Sequence, residues 1–291
     1  MWYDEFLNKY RSGISHEFLL YFNVRDLVDN YRYIDRFLYD EFIKQRNFAI
    51  VAFYDISRGL TFLDKEMERE FNKITSNEAV NLFHSLPSRL FPYIDIALKS
   101  TKMVLFINHT EKILPSVDVG SMSLEERSAL IWICEWSVNS RISSVGSTIF
   151  MLADNLADVS REVLKSSYRV EPILVELPGE EERRKYIEYL LQDGNVKSDI
   201  TIDEFAKLSS GLSKKSIKDI KLRAEAEDVP ISFEFIKEKK HSVLQKEYGD
   251  VLEFIYPEIS FEDIGGMDKA KNYLMKNIVN PIKKGDLRRV P

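Results

Sequence analysis

Five short apolar runs recur along the first 180 residues, and longer stretches with polar positions separate them. The runs are residues 17–24, 48–56, 103–107, 147–154 and 171–178. Residues 48–56 are apolar on both faces of an extended chain, which is typical of a strand in a sheet that is covered on both sides. Residues 103–107, MVLFI, also read as a buried strand. We therefore predict five strands in the interior of one domain.

The stretches between these runs repeat their apolar residues at steps of three and four, which is the period of an amphipathic helix. They predict helices over residues 27–45, 64–74, 76–86, 123–142 and 179–194. Ser76 is a plausible cap of the third helix, and Ser123 with Glu126 forms a capping-box pattern at the fourth. Strands joined by helices favour right-handed crossovers and a parallel sheet. The predicted fold class is α/β, a doubly wound five-stranded parallel sheet.

Beyond residue 195 the apolar runs of strand length stop. Short helical patterns follow at residues 202–208, 214–227 and 232–245, which predicts a small helical domain over residues 196–256. A new unit then begins at residue 257, with a turn at Gly265-Gly266 and a helix after it. The predicted domains are therefore 1–195, 196–256 and 257–291.

Composition narrows the class of protein. Hydrophobic residues make up 44% and charged residues 30% of the 291, as in a globular protein with a real core. The formal net charge of −6 argues against a dedicated nucleic-acid binder. Cys134 is the single cysteine, so an intrachain disulfide and a cysteine-based zinc site are excluded. The start is unlike a signal peptide, and no apolar run approaches the roughly 20 residues of a membrane span. We expect a cytoplasmic protein without a membrane partner.

The segment FEDIGGMDKAKNYL near the end of the chain resembles the opening of an AAA ATPase module, in which an F-x-D-I-G-G turn precedes a helix. The matching residues are Phe261, Asp263, Ile264, Gly265 and Gly266. A wound domain followed by a helical lid is also similar to the AAA+ architecture. The resemblance implies that residues 1–195 are the α/β domain of one module and 196–256 its lid. Residues 257–291 are then the start of a second, incomplete module.

The residues that a nucleotide site of this family needs are missing from the first module. A phosphate loop requires Gly for backbone N–H groups, Lys for phosphate charge and Ser or Thr for Mg²⁺. The stretch after the first strand, RDLVDNYRYI, has neither Gly nor Lys, and Asp26 and Asp29 would repel phosphate. At the Walker B position Asn108 and His109 stand where the family has a metal-binding Asp and a water-activating Glu. We expect no metal site and no cofactor.

Two positions keep the residue that the family has. Asn155 matches the sensor 1 asparagine, which contacts the terminal phosphate and the attacking water. Arg169 matches one arginine finger, and the second finger position holds Ser166. Arginine fingers act on the nucleotide of a neighbouring subunit. The resemblance therefore implies that Arg169 acts in trans within a homo-oligomeric ring and matters only in the assembled ring.

A finer resemblance rests on YDISRGLTF, residues 54–62. It is similar to a family of two-part AAA proteins, encoded in plastids and widespread in prokaryotes, whose degenerate first module precedes an active one. That implies a scaffold, regulatory or substrate-presenting module with protein partners, and no ATPase activity in this chain. Two alternatives stay open. One is a divergent enzyme that binds and hydrolyses Mg-ATP; the other is a DNA-associated clamp-loader module, which only basic stretches at 237–240 and 283–289 support.

Overall fold

A computed structural model of the chain describes residues 1–248 and 263–280. The chain divides into two compact units, Met1–Lys240 and His241–Pro291. Phe261 of the predicted turn and the basic stretch at 283–289 lie outside the described residues. The bounds 1–195, 196–256 and 257–291 stay a prediction.

Six strands form one sheet. They are β1 (Glu17–Phe22), β2 (Ile50–Asp55), β3 (Gly59–Phe62), β4 (Met103–Ile107), β5 (Thr148–Ala153) and β6 (Val170–Val175). Their order is β3-β2-β4-β5-β1-β6, and all neighbours are parallel except β2 and β3. The five predicted strands and the doubly wound α/β class are confirmed. The short antiparallel edge strand β3 was not predicted.

The turn that creates β3 lies in the stretch YDISRGLTF. The Asp55 carboxylate accepts hydrogen bonds from the backbone of Ser57 and Arg58 and from the Arg58 guanidinium. Burial would raise the pKa of Asp55, but these hydrogen bonds lower it to about 2. Gly59 has a φ of +72°, and a Cβ there would lie 1.9 Å from the carbonyl oxygen of Phe83. Only glycine fits this turn, so the stretch has a structural role.

Seven helices of the described chain cover the two faces of the sheet. They are α1 (Trp2–Arg11), α2 (Ile34–Leu38), α3 (Lys65–Ile74), α4 (Pro87–Ser100), α5 (Thr110–Ile113), α6 (Leu124–Val138) and α7 (Ser140–Val145). On one face α1 and α2 pack with side chains such as Phe18 and Phe150 of the strands. On the other face α4 and α6 bury side chains such as Phe91 and Trp136. The two cores explain why the strands are apolar on both sides.

Several helix predictions were wrong. The helix predicted over 27–45 begins only at Ile34, because residues 27–33 form a loop closed by a bridge between Leu27 and Tyr33. Ser76 has a φ of +53° and caps no helix; a short 3₁₀ turn at Val80–Leu82 stands in place of the predicted helix over 76–86. The helix predicted over 123–142 is two helices, α6 and α7, because Asn139 ends one and caps the other. Helices α1 and α4 were not predicted.

The capping box of Ser123 and Glu126 at α6 is confirmed, and the predicted helix over 64–74 is α3, capped by Asp64. Four helices follow the sheet: α8 (Glu180–Leu191), α9 (Ile202–Leu208), α10 (Lys214–Glu227) and α11 (Phe233–Tyr248). Each was predicted to within a few residues. In the second unit, the helix expected after Gly265-Gly266 is α12 (Asp268–Leu274). Within residues 1–248 and 263–280, no helix has the length and apolar character that crossing a membrane requires.

The Glu17 carboxyl group is buried at the start of β1. Glu17 is 0% exposed, and neither carboxyl oxygen has a hydrogen-bond partner in the described chain. Burial raises the pKa of Glu17 well above its ordinary 4.5. The unfolded chain therefore ionises first as pH rises, and stability present below pH 4.5 is lost towards the folded pKa.

We predict that Glu17→Gln, which cannot ionise, raises the free energy of unfolding by about 2 kcal/mol at pH 8 and changes it little at pH 4. Urea unfolding at the two pH values measures the difference. Glu188→Gln, at an exposed position on α8, is the matched control and should have little effect at either pH. An equal effect of Glu17→Gln at pH 4 and pH 8 would contradict the prediction.

Candidate functional site

The carboxyl ends of β4, β5 and β1 lie side by side, because these strands are neighbours in the sheet. In open α/β sheets, ligands bind in the crevice outside the carboxyl ends of the strands. Four charged or titratable side chains meet there. Arg25 follows β1, His109 and Glu111 follow β4, and Asp154 follows β5. We refer to these four residues as the carboxyl-edge cluster.

Arg25 links the members of this cluster. Its Nε donates to Asp154 Oδ1 at 3.0 Å, and its Nη2 lies 3.1 Å from His109 Nδ1. A guanidinium can only donate, so His109 Nδ1 is the acceptor in this contact. His109 Nδ1 is also 3.7 Å from Glu111 Oε1. The cluster is therefore a connected network with the Arg25 cation in it.

The same network brings together three groups that can ligate a metal. Ligand atoms of His109, Glu111 and Asp154 lie within 4.8 Å of one another. Glu111 is 7% exposed, and its Oε2 has no hydrogen-bond partner in the described chain. Arg25 already bonds to two of the three groups. A metal ion in this position would have to displace that guanidinium.

Asp26 connects the loop after β1 with the helical domain. Its Oδ2 accepts from the Lys214 backbone N–H at 2.8 Å and its Oδ1 from the Lys215 N–H at 2.9 Å. Asn23 Nδ2 donates to the same carboxylate at 3.2 Å, and Asp26 is only 3% exposed. Lys214 and Lys215 are the first two residues of α10, where free N–H groups and the helix dipole favour an anion. The Asp26 carboxylate therefore occupies the place at the N-terminus of α10 where an anion is favoured.

The side chain of Lys214 adds a second connection between the same parts. Its Nζ donates to the carbonyl oxygen of Val28 at 2.6 Å, and the residue is 4% exposed. Burial lowers the pKa of Lys214, while the nearby carboxylates of Glu182, Asp26 and Asp29 raise it. The helical domain is thus held to the loop after β1 by one buried carboxylate and one buried ammonium.

The residues predicted from the sequence fall into separate places. The Asn108 N–H donates to the carbonyl oxygen of Tyr54 at 2.8 Å and so extends the pairing of β4 with β2. His109, with a φ of +53°, belongs to the carboxyl-edge cluster. Asn155 is exposed, and its Oδ1 accepts from the Ala157 N–H at 3.1 Å as the cap of a 3₁₀ turn. The nucleotide roles of these residues stay predictions.

Arg169 lies away from the other three. It directly precedes β6, and therefore stands at the amino edge of the parallel sheet, whereas Asn108, His109 and Asn155 follow strands. In the described chain its guanidinium has no partner; neither Glu171 nor Glu176 pairs with it, and Glu171 pairs with Lys9 instead. Its role as an arginine finger also stays a prediction.

The sequence analysis missed Arg25 and Asp154. The two residues are 129 positions apart, and Arg25 and His109 are 84 apart. No periodicity or motif relates residues at such distances. The one available signal is that each follows a predicted strand of a parallel sheet, whose carboxyl ends share an edge.

Comparisons with known proteins agree with this architecture. The family model described as "AAA+ chaperone, N-terminal Rossmann-like domain" matches residues 1–176, and "AAA+ chaperone, second helical domain" matches residues 181–249. The chain is 21% identical over 245 residues to a cell division cycle protein 48 homolog of Archaeoglobus fulgidus. That alignment covers 75% of this chain and 32% of the relative, so the chain spans about a third of the relative's length. Because the N-terminal model alone matches more than half of the chain, the protein belongs to the AAA+ chaperone family.

Proposed function

We propose that residues 1–248 form an AAA+ chaperone module that works without a nucleotide of its own. It acts as a scaffold or regulatory part of an assembly, while another module hydrolyses ATP. One observation carries this proposal: at the carboxyl ends of the strands, Arg25 bonds to Asp154 and His109, and Asp26 bonds to the start of α10.

The first support comes from the residues that a bound phosphate would meet. A polyphosphate needs backbone N–H groups and a lysine around it, whereas the stretch after β1 has neither Gly nor Lys and contains Asp26 and Asp29. The N–H groups at the start of α10 are already bonded to Asp26. A phosphate there would have to displace a buried carboxylate, which would then lose its partners at considerable cost.

The second support for the proposal comes from the place where a magnesium ion would bind. Mg²⁺ takes oxygen ligands in near-octahedral geometry and usually keeps several waters. Arg25 lies instead against Asp154 and His109, and His109 Nδ1 accepts from it. The cluster thus holds a cation of the chain where a metal would have to bind. The residues present do not fit Mg-ATP.

The AAA+ chaperone family suggests oligomeric assembly and interaction with protein substrates, and we propose a homo-oligomeric ring with protein partners. Arg169, unpaired at the amino edge of the sheet, is accessible to a neighbouring subunit. A degenerate first module of the two-part kind, with a second module that begins near residue 257, is part of the same proposal. Cys134 is a buried free cysteine, and a single thiol without a disulfide suits a reducing compartment such as the cytoplasm.

Titration of the full chain with Mg-ATP tests this proposal. We expect no saturable heat at the carboxyl-edge cluster up to about 1 mM ATP, a concentration that would reveal any binding stronger than about 4 kcal/mol. We also expect no ATP turnover above the buffer background. The same titration of the Asp154→Asn variant shows whether any heat of binding comes from the carboxyl-edge cluster.

Two results would favour the alternative of a divergent ATPase. One is stoichiometric binding in the low micromolar range that Asp154→Asn weakens. The other is ATP turnover by the chain that the same substitution abolishes. Either result would contradict the proposed function.

A further inference from the structure

A polar pocket of about 490 Å³ lies at the amino edge of the sheet. The segments that lead into β1, β5 and β6 form its walls: residues 13–16, residues 137–144 in part, and Ser167 with Arg169. The carboxyl-edge cluster lies at the other end of the same strands. We refer to this space as the amino-edge pocket; it is separate from the crevice discussed above.

The lining of the amino-edge pocket has no acidic side chain, although the chain has 47 Asp and Glu residues. Its one guanidinium, that of Arg169, has no hydrogen-bond or ion-pair partner in residues 1–248 and 263–280. The hydroxyl groups of Ser140, Ser143 and Ser167 also bond to nothing in this part of the chain. One unpaired cation and several free donors together are the complement of an oxyanion.

The backbone of Arg169 is fixed at the mouth of the pocket. Its N–H donates to Ser137 Oγ at 3.3 Å, and its carbonyl oxygen accepts from Ser15 Oγ. Ser15 Oγ also accepts from the Glu17 N–H at 2.8 Å. The backbone of Arg169 is thus attached to α6 and to the segment that leads into β1.

His16 contributes an imidazole to the lining of the pocket. It lines the pocket and is 8% exposed, and its Nε2 lies 2.8 Å from the carbonyl oxygen of Trp136. A carbonyl only accepts, so Nε2 donates. Burial, helped by Arg169, lowers the pKa of His16, and the ring is neutral at pH 7. Nδ1 is then an acceptor. A protonated phosphate can donate a hydrogen bond to such an acceptor, whereas sulfate has no proton to donate.

We propose that the amino-edge pocket binds a phosphate group, either inorganic phosphate or the phosphate of a small monoester. Arg169 is its charged partner, with a planar fork that suits two phosphate oxygens. The serine hydroxyls donate to the remaining oxygens, and His16 accepts from a protonated oxygen. This site uses no residue of the carboxyl-edge cluster, so it does not depend on the proposal that the crevice holds no nucleotide; Arg169 is the residue that it shares with the proposed ring.

Isothermal titration of the full chain at pH 7 and constant ionic strength tests the site. The ligands are inorganic phosphate, O-phosphoserine and sulfate. We expect one-to-one binding of a phosphate ligand, and the comparison of the first two distinguishes the free ion from a monoester. Arg169→Gln should weaken this binding at least tenfold, and Arg169→Lys, which keeps the charge but loses the fork, should weaken it less. Arg161→Gln removes the same charge at an exposed residue outside the lining and should leave the affinity unchanged.

Three outcomes would overturn this proposal: no saturable binding of either phosphate ligand, equal affinity in Arg169→Gln, or sulfate binding as tight as phosphate binding. Titration with ATP separates this site from the crevice. Heat that disappears in Arg169→Gln belongs to the amino-edge pocket and leaves the proposed function intact. Heat that remains in Arg169→Gln but disappears in Asp154→Asn contradicts the proposed function and leaves the pocket intact.

Discussion

Replacement of Asp26 by Ala should lower the free energy of unfolding by about 3 kcal/mol. The substitution leaves the N–H groups of Lys214 and Lys215 at the start of α10 without their acceptor. It also removes a carboxylate that supports the buried ammonium of Lys214. Chemical denaturation followed by far-UV circular dichroism measures the loss.

The control is Asp219→Ala, which removes an exposed carboxylate from the same helix and should cost less than about 0.5 kcal/mol. Asp26→Asn has one carbonyl oxygen in place of two carboxylate oxygens. Its loss of stability should lie between those of Asp26→Ala and Asp219→Ala. If Asp26→Ala were as mild as Asp219→Ala, the connection of the sheet to the helical domain would not depend on this carboxylate. The charge argument against phosphate in the crevice would then lose its main support.

Phe6→Ala should be more damaging still, with a loss of about 4 kcal/mol. Phe6 is 0% exposed and joins α1 to the sheet. Its ring centroid lies 4.9 Å from that of Phe18, 4.9 Å from that of Phe42 and 5.2 Å from that of Phe150. The alanine would leave a cavity among α1, the segment that follows α2 and the strands β1 and β5, which rigid neighbours cannot fill. Unfolding of the full chain in guanidinium chloride measures this loss of stability.

Tyr31→Ala is the matched control for the loss of an aromatic ring, because Tyr31 is 70% exposed. It should change stability by less than about 1 kcal/mol, including its contact with the Arg32 guanidinium. Equal losses in the two variants would mean that α1 is not part of the cooperative core. They would also make the assignment of α1 to the sheet domain wrong.

The five parallel strands and the fold class could be predicted because a strand between two helical layers is apolar on both faces. Helices α3 and α6 could be predicted because their first turns include local capping residues, Asp64 and Ser123. Such signals involve residues three or four positions apart, so they can be recognised in the sequence alone. The position of Asn108-His109 at the end of a strand followed from the same local pattern.

The predictions failed where distant contacts decide. Residues 27–33 have helical spacing, yet they form a loop in which the Val28 carbonyl oxygen accepts from Lys214 Nζ, 186 positions away. Helix α1 has a mixed, charged sequence, and only the burial of Phe6 and Trp2 against the sheet makes it part of the fold. Tertiary packing overrides weak local preference in such segments.

For this protein, the sequence by itself determined the wound sheet and the helical domain, and it shows that the stretch after the first strand has neither Gly nor Lys, since these features depend on residue type and short-range spacing. Only the tertiary structure decided which charges meet. Arg25 reaches Asp154 across 129 residues, and Asp26 reaches the start of α10 across 188. Such contacts depend on the order of strands in the sheet and on the placement of α10. No local pattern encodes them, because each contact joins groups that only the fold brings together.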